Sequence, residues 1–132
     1  MTVVPNIIIL FNHTLTAAQE EDAYASLGVA EIILPPDEIR NLWSHVPPDL
    51  DSIRDYLAPV WDWISERAKS GDFVLVQGEF GATFLTVNFC MKKALLPIYS
   101  TTARKAIENH LDDGSVQTQH IFQHVRFRQY GR

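Results

Sequence analysis

Two runs of apolar residues constrain the fold of this chain more than any other feature. Residues 3–11 (VVPNIIILF) and 73–76 (FVLV) are almost continuously apolar and rich in β-branched side chains. A strand with one solvent-exposed face alternates apolar and polar residues. A continuous apolar run is instead typical of a strand in a parallel sheet that is covered on both faces. The sequence therefore predicts an α/β protein with two such strands at its centre.

Helical signals separate these strands. Thr16 and Gln19 form a capping box ahead of a helix over residues 17–27, which Gly28 ends. Apolar spacing predicts further helices over 37–45, 53–68 and 82–93, and further strands over 32–34 and 96–100. Because β and α segments alternate and crossovers are right-handed, we expect a Rossmann-like parallel sheet of order 2-1-3-4 with helices on both faces.

The region after residue 102 is less regular. Residues 103–111 fit either a helix or a strand. However, Asp113-Gly114 is a strong hairpin signal, and apolar and polar residues alternate on both sides of it. The sequence therefore favours a C-terminal β-hairpin.

Length and composition limit the class of protein. The 132 residues, 46% hydrophobic and 20% charged, predict one globular domain over residues 1–132. No apolar run is long enough for a membrane span, no signal peptide is apparent, and the single Cys90 has the setting of a small buried hydrophobe. We therefore expect a cytoplasmic protein with no membrane partner.

Charge is distributed unevenly. The net charge of −5 argues against a partner that is a long nucleic acid. Residues 1–91 contain thirteen acidic and four basic residues, whereas residues 92–132 contain three acidic and seven basic ones. A basic end on an acidic body suits a small anionic ligand or an asymmetric partner surface, and it equally suits a solvated basic tail.

The expected strand order predicts where a ligand binds. In open α/β sheets, ligands bind beyond the carboxyl ends of the strands at the topological switch point, here between strands one and three. Three loops meet at that edge: residues 12–14, residues 77–81 and, beside them, residues 100–102.

The turn Gly78-Glu79-Phe80-Gly81 is the central feature of this edge. We expect its glycines to adopt positive φ and to bring the backbone close to a ligand. The N–H groups of Gly81, Ala82 and Thr83 would then face outward at a helix N-terminus as an anion site. The alternative is a tight packing turn with Phe80 in the core.

Two polar side chains flank this turn. Glu79 would repel a phosphate, so it either accepts a hydrogen bond from a ribose hydroxyl or complements the helix dipole. Gln77 either binds the edge of an adenine or caps the end of its strand.

His13 is the acid–base candidate, because its ordinary pKa lies near working pH. Hydroxyl and cationic side chains follow the fourth strand and could bind phosphate oxygens: Ser100, Thr101, Thr102, Arg104 and Lys105. The alternative is that the hydroxyls cap a helix or turn and that the cations are exposed to solvent. The spacing of the late histidines matches no standard metal site, so we expect none.

Four motifs together resemble a known family. These are FNHTLT after the first strand, VQGEFGAT after the third, PIYSTTARKA after the fourth, and DGSV with FQHVRFRQY at the end. Their order and spacing resemble the small CRISPR-associated stand-alone ring nucleases of type III systems, which have a CARF-related, Rossmann-like fold.

That resemblance implies a homodimer that binds cyclic oligoadenylate, with the tetra-adenylate as the first choice, and cleaves it to end an antiviral signal. The ring's own 2′-OH attacks the neighbouring phosphate, without metal or cofactor. His13 and Arg104 are then the catalytic candidates. Asn12 stands where a small hydroxyl residue is expected. The ligand-binding candidates are Asn12, Gln77, Gly78, Glu79, Phe80, Gly81, Ala82, Thr83, Ser100, Thr101, Thr102 and Lys105.

Three other functions remain open. A sensor or sponge would hold the cyclic nucleotide without cutting it. A flavodoxin-like module would bind a mononucleotide, although no aromatic pair for a flavin ring is evident. A purely structural dimer would leave the polar loops at one sheet edge unexplained.

Overall fold

The structure, a computed structural model, describes residues 3–132. The elements follow one another as β1 (Ile7–Phe11), α1 (Ala17–Ser26), β2 (Ile32–Ile33), α2 (Asp37–Ser44), α3 (Arg54–Arg67), β3 (Phe73–Gln77), α4 (Phe80–Lys92), β4 (Leu96–His110) and β5 (Val116–Gln129).

The strands form one sheet of order β2-β1-β3-β4-β5. The first four strands run parallel, with Ile8 opposite Val74 and Leu75 opposite Ile98, and β5 runs antiparallel to β4. The predicted order 2-1-3-4 is confirmed, and the hairpin adds a fifth strand that makes the sheet mixed. None of the helices within residues 3–132 is both long and apolar enough to cross a membrane.

Local signals explain most element boundaries. The capping box is present: Gln19 N donates to Thr16 Oγ1 over 3.2 Å, and Thr16 N donates to Gln19 Oε1 over 2.9 Å. In contrast, β1 begins at Ile7 rather than Val3. Helix α4 begins at Phe80 rather than Ala82, because Glu79 is its N-cap.

The central strands pack in two clusters. Ile8 and Leu10 of β1 belong to a cluster that includes side chains from α2, α3 and α4, among them Trp43, which is only 2% exposed. Ile7 and Ile9, whose side chains point the other way along the strand, cluster with Ala23 of α1. This alternation accounts for the continuous apolar run in β1, because both sides of the strand are covered.

The hairpin is longer than the sheet to which it belongs. Residues 103–111 are extended, which decides between the two conformations that the sequence left open; the turn is at Gly114, whose φ is 85°. β3 pairs with β4 only from Leu96 to Ile98, whereas β5 pairs with β4 as far as His110. Beyond the sheet, each strand of the hairpin therefore has only the other as its partner.

Asp72 ties the start of β3 to its surroundings. Its side chain, 1% exposed, accepts hydrogen bonds from Asn6 N (3.0 Å) and Lys69 N (2.9 Å), and it pairs with Lys69 Nζ at 2.8 Å. Burial alone would raise the pKa of this carboxyl, but the hydrogen bonds from Asn6 and Lys69 outweigh it and hold the pKa below 3.8.

We expect Asp72→Ala to lower the free energy of unfolding by about 3 kcal/mol, because two backbone N–H groups and the Lys69 ammonium lose a buried, charged acceptor. Since the pKa is lowered in the folded state, the carboxylate stabilises the protein fully above 3.8, and this contribution is lost as pH falls through the lowered value. Urea unfolding between pH 7 and pH 2 measures both effects. An unchanged free energy at pH 7 would contradict this role.

Candidate functional site

A cleft of ≈ 580 Å³ lies at the carboxyl edge of the sheet, between the loops after β1 and β3 and the base of the hairpin. Loops from separate parts of the chain meet there because parallel strands end on the same edge. Seven of the predicted site residues line this cleft: Asn12, His13, Gln77, Gly78, Phe80, Thr83 and Thr102.

Aromatic rings that the sequence analysis missed complete the lining. They are Phe11 at the end of β1, Phe122 on β5 and Tyr130 just beyond β5. Phe80 joins them at the cleft and is 94% exposed, so the alternative that placed it in the core is wrong. Phe122 and Tyr130 reach the cleft only because β5 runs back along β4, a pairing that the residues around the cleft do not themselves reveal.

His13 lines two neighbouring pockets. It is exposed and packs edge-on against Phe11, with 5.3 Å between ring centroids. It lines both the cleft and a neighbouring pocket of ≈ 370 Å³ that also includes Thr14 and Arg40. Its imidazole is therefore accessible for proton transfer to a ligand in either place.

Gln77 has a structural role at the end of β3. Its side-chain Oε1 accepts from Ser100 N over 2.8 Å, and its backbone carbonyl accepts from Trp43 Nε1 over 3.0 Å. These bonds fit the predicted cap at a strand end. The acceptor half of the amide is thus already engaged, so only its nitrogen is left to donate to a ligand in the cleft that Gln77 lines.

The start of α4 is capped by its own chain. The carboxylate of Glu79 accepts from Gly81 N and from Ala82 N (3.1 Å for the latter), and Thr83 N donates to Glu79 O over 2.9 Å. The expectation of an open anion site at these amides is therefore wrong, because the Glu79 carboxylate occupies those of Gly81 and Ala82 and the Glu79 carbonyl occupies that of Thr83. Glu79 complements the helix dipole, as its alternative interpretation stated.

Thr83 contributes a different polar group. Its hydroxyl oxygen is buried and has no hydrogen-bond partner among the described residues, although the residue lines the cleft. Buried polar groups are normally paired. A ligand that entered the cleft could satisfy this hydroxyl.

The turn glycines serve close packing rather than positive φ. Neither Gly78 nor Gly81 is among the glycines with positive φ, so that expectation is wrong. A Cβ on Gly78 would lie 2.7 Å from Trp43 Nε1, whereas one on Gly81 would lie 3.1 Å from the carboxylate of Glu79. Only glycine at position 78 lets the buried Trp43 ring reach the carbonyl of Gln77.

Ser100 and Thr101 do not line the cleft. Ser100 is buried; its hydroxyl lies 2.5 Å from His124 Nδ1 and accepts from Gln19 Nε2 over 3.3 Å, and His124 Nε2 lies 2.7 Å from Asp22 Oδ2. Thr101 Oγ1 donates to a backbone carbonyl of β5. The buried network joins α1 to the base of the hairpin.

Asp22 anchors this network as an anion. Burial alone would raise its pKa, but hydrogen bonds from Ser26 and His124 outweigh burial and hold the pKa below its ordinary value. The orientation of the hairpin relative to α1 therefore depends on a charged, hydrogen-bonded contact. That contact was not apparent in the sequence, because Asp22 and His124 are 102 residues apart.

Arg104 and Lys105 lie on the exposed hairpin and do not line the cleft. Arg104 is directly opposite Phe122 in the ladder, and opposed residues share a face of the sheet, so Arg104 lies on the same face of the hairpin as a cleft residue. Lys105 is opposite Ile121, on the other face.

The described residues offer little for metal-ion chemistry or for a cysteine nucleophile. Within residues 3–132, no group of three or more His, Cys, Asp or Glu side chains is arranged to hold a metal ion. Cys90 is fully buried, as expected, and burial raises the pKa of its thiol to about 12. The thiol therefore stays protonated and is a packing group.

We expect Gly78→Ala to lower the free energy of unfolding by about 2 kcal/mol, because the added methyl group overpacks Trp43. Gly81→Ala is the matched control: its methyl group would lie 3.1 Å from the end of the Glu79 side chain and at an ordinary 3.5 Å from Ile53 Cδ1, so we expect a change below about 1 kcal/mol. Urea denaturation of both variants measures the difference. Equal losses for the two variants would contradict the assigned role of Gly78.

Comparison with known proteins places the chain in a family. A protein of Methanocaldococcus jannaschii described as "Uncharacterized protein MJ1673" is 46% identical to it over 127 residues, which cover 96% of this chain and 98% of the relative. No solved structure matches the chain significantly. The family described as "Uncharacterized protein MJ1673 family" matches residues 5–128, and the chain therefore belongs to the MJ1673 family.

Proposed function

We propose that this protein is a ring nuclease of type III CRISPR signalling. It binds cyclic oligoadenylate, with the tetra-adenylate as the preferred ring, and cleaves it in the cytoplasm without a metal ion. The observation that carries the proposal is the cleft at the strand ends, where His13 lies beside four aromatic side chains. The resemblance of the four sequence motifs supports the same conclusion.

The architecture that we infer is Rossmann-like, with helices on both faces of the sheet. The support is the packing of alternate β1 side chains into two clusters, one with α1 and the other with α2, α3 and α4. In such folds the switch point between β1 and β3 is the ligand site. The cleft coincides with that point.

Exposed aromatic rings suit a planar base such as adenine better than they suit a simple anion. Single-stranded nucleotides are commonly held by stacking of their bases on aromatic side chains, worth about 1–3 kcal/mol per base. Phe80 and Phe122 are 94% and 70% exposed beside the cleft, which leaves their faces open to a base. Such exposure of large apolar rings has no packing explanation within one copy of the chain.

The size of the cleft favours a homodimer. Its ≈ 580 Å³ lies within the range of about 300–1,000 Å³ for small-molecule pockets, whereas the proposed ligand has four nucleotides. One cleft would therefore hold only part of the ring. A two-fold dimer presents two clefts to a ligand that has the same symmetry.

The proposed reaction needs only positioned groups and proton transfer. A 2′-oxygen of the ring attacks the adjacent phosphorus, the bond from phosphorus to the 5′-oxygen breaks, and the products carry a 2′,3′-cyclic phosphate and a 5′-hydroxyl. His13 takes the proton from the 2′-OH or gives one to the leaving 5′-oxygen. Arg104 stabilises charge on the phosphate, and orientation of the attacking oxygen contributes about 7–11 kcal/mol in favourable cases.

A sensor or sponge that binds without cutting is the second candidate. It is favoured by the Glu79 carboxylate, which occupies the amides that would otherwise stabilise a developing phosphate charge. In that case the aromatic cleft provides binding, and His13 contacts the ligand without moving a proton.

The first experiment separates the two functions. Purified protein is incubated with cyclic tetra- or hexa-adenylate in excess EDTA, and the products are separated by liquid chromatography with mass detection. We expect linear products ending in a 2′,3′-cyclic phosphate. Intact ring together with tight binding would instead establish the sponge, and neither binding nor cleavage would refute both functions.

We expect His13→Ala to lower the single-turnover cleavage rate by about 10²–10⁴-fold while changing affinity less, because it removes the acid–base group. Arg104→Ala should weaken binding and reduce its dependence on salt, because a phosphate contact is lost. The matched controls are His45→Ala and Arg67→Ala, which replace the same residue types away from the cleft. A His13→Ala rate equal to wild type would exclude this residue from the chemistry.

A further inference from the structure

The pocket that adjoins the cleft is a binding site in its own right. It has a volume of ≈ 370 Å³ and is formed by the loop after β1, the segment after β2, and side chains of α1 and α2. We refer to it as the β2 pocket. It lies at the carboxyl ends of β1 and β2, which is where open α/β sheets bind their ligands. Its volume falls within the range of about 300–1,000 Å³ for small-molecule sites.

The β2 pocket and the cleft share part of their lining. Phe11, Asn12 and His13 belong to both. Asn12 and His13 are exposed, so the boundary between the two compartments is open to solvent and not closed by packed core. A ligand that occupied both compartments would therefore pass the side chain of His13.

The cleft by itself offers no cation to a phosphate. Among residues 3–132, none of those that line it is a lysine or an arginine. The amides at the start of α4 are already occupied by Glu79. Phosphate contacts commonly supply a large share of the affinity for a nucleic-acid ligand, and here the cleft lacks the group that would make them.

The β2 pocket supplies that cation. Arg40, on α2, is exposed, lines the pocket and takes part in no ion pair within 4.0 Å in the part of the chain that the structure describes. It is one of only four basic residues among residues 1–91, which carry thirteen acidic ones. An exposed arginine is ordinarily just solvated. Arg40 differs because it lines a concave pocket together with His13, where its planar fork is free to contact two phosphate oxygens.

The remaining lining suits the base and sugar of a nucleotide. Leu34 is 57% exposed and, with Leu15 and Pro35, provides an apolar surface. Glu20 is the one carboxylate of the lining, and its oxygens accept hydrogen bonds from donors such as the amino group of adenine or a sugar hydroxyl. Because Glu20 repels a phosphate, we expect the phosphate at Arg40 and the donor groups of the nucleotide at Glu20.

We propose that the β2 pocket is a second nucleotide subsite, so that one protomer holds two consecutive nucleotides of an oligoadenylate, one in the cleft and the next in the β2 pocket. The phosphodiester that joins them lies at His13, which both compartments share, and Arg40 binds its phosphate. The inference rests on the proposed function and deepens it. It specifies which linkage of the ring is presented to His13, and it adds Arg40 to the residues that bind the ring.

Amide NMR tests whether one ligand occupies both compartments. The probe is a dinucleotide, 2′-deoxyadenylyl-(3′→5′)-adenosine, which lacks the 2′-OH needed to cleave its own linkage. We expect its titration into the ¹⁵N-labelled wild type to shift the signals of Leu34 and Arg40 with the same dissociation constant as those of Gly78 and Phe80. AMP fills only one subsite and should bind about tenfold more weakly. Shifts confined to the cleft, or no binding of the dinucleotide, would overturn the proposal.

Arg40→Gln tests the phosphate contact, because glutamine removes the charge and keeps a polar side chain. We expect the dissociation constant of the dinucleotide to rise about tenfold and its dependence on salt to fall. Adenosine, which has no phosphate, should bind the variant as it binds the wild type. Arg67→Gln is the matched control, since Arg67 is exposed in the last turn of α3 and lines neither compartment. Equal dissociation constants of the dinucleotide for Arg40→Gln and the wild type would overturn the role of Arg40.

Failure of the subsite and failure of the nuclease are distinguishable. Binding of the dinucleotide in both compartments, without cleavage of cyclic tetra-adenylate by the wild type, would support the subsite and refute the nuclease. Cleavage of the ring by the wild type and by Arg40→Gln with equal rates and equal affinities would support the nuclease and overturn the subsite.

Discussion

The parallel pairing of β1 with β3 is the constraint on which the rest of the structure depends. Five consecutive positions pair, from Ile7 opposite Phe73 to Phe11 opposite Gln77, and the apolar side chains pack into both clusters. A parallel pair needs a long crossover, which the chain supplies with α1, β2, α2 and α3. Because both strands end at the same edge, residues 12–13 and 77–83 meet there, and the cleft follows from that meeting.

The turn after β3 both packs against the core and exposes an aromatic side chain to the cleft. Gly78 admits the buried Trp43 ring, and the indole N–H satisfies the Gln77 carbonyl at the strand end. Glu79 then caps α4 from within, which fixes the first turn of the helix without any external anion. With its backbone thus satisfied, the turn holds Phe80 out into the cleft. The glycine turn is a packing device, and the exposed ring is the part that faces a ligand.

The sequence predicted the sheet order, the helices and seven residues that line the cleft, because these depend on apolar periodicity and on capping and turn residues close together in the chain. It failed where the outcome depends on distant contacts. Phe122, Tyr130 and the Ser100–His124–Asp22 network join positions far apart in sequence. The prediction of an anion site at the amides of Gly81 and Ala82 also failed, because both amides donate to the neighbouring Glu79 carboxylate.

The account's central claim is that the aromatic cleft at the strand ends binds the bases of a cyclic oligoadenylate. Calorimetric titration of cyclic tetra-adenylate into the wild type and Phe122→Ala tests this most directly, with Val125→Ala as the control, since Val125 is 58% exposed on the same strand and does not line the cleft. We expect Phe122→Ala to weaken binding by about 1–3 kcal/mol and Val125→Ala to leave it unchanged, because only the first removes a stacking ring. Equal affinities of the wild type and Phe122→Ala would contradict the account.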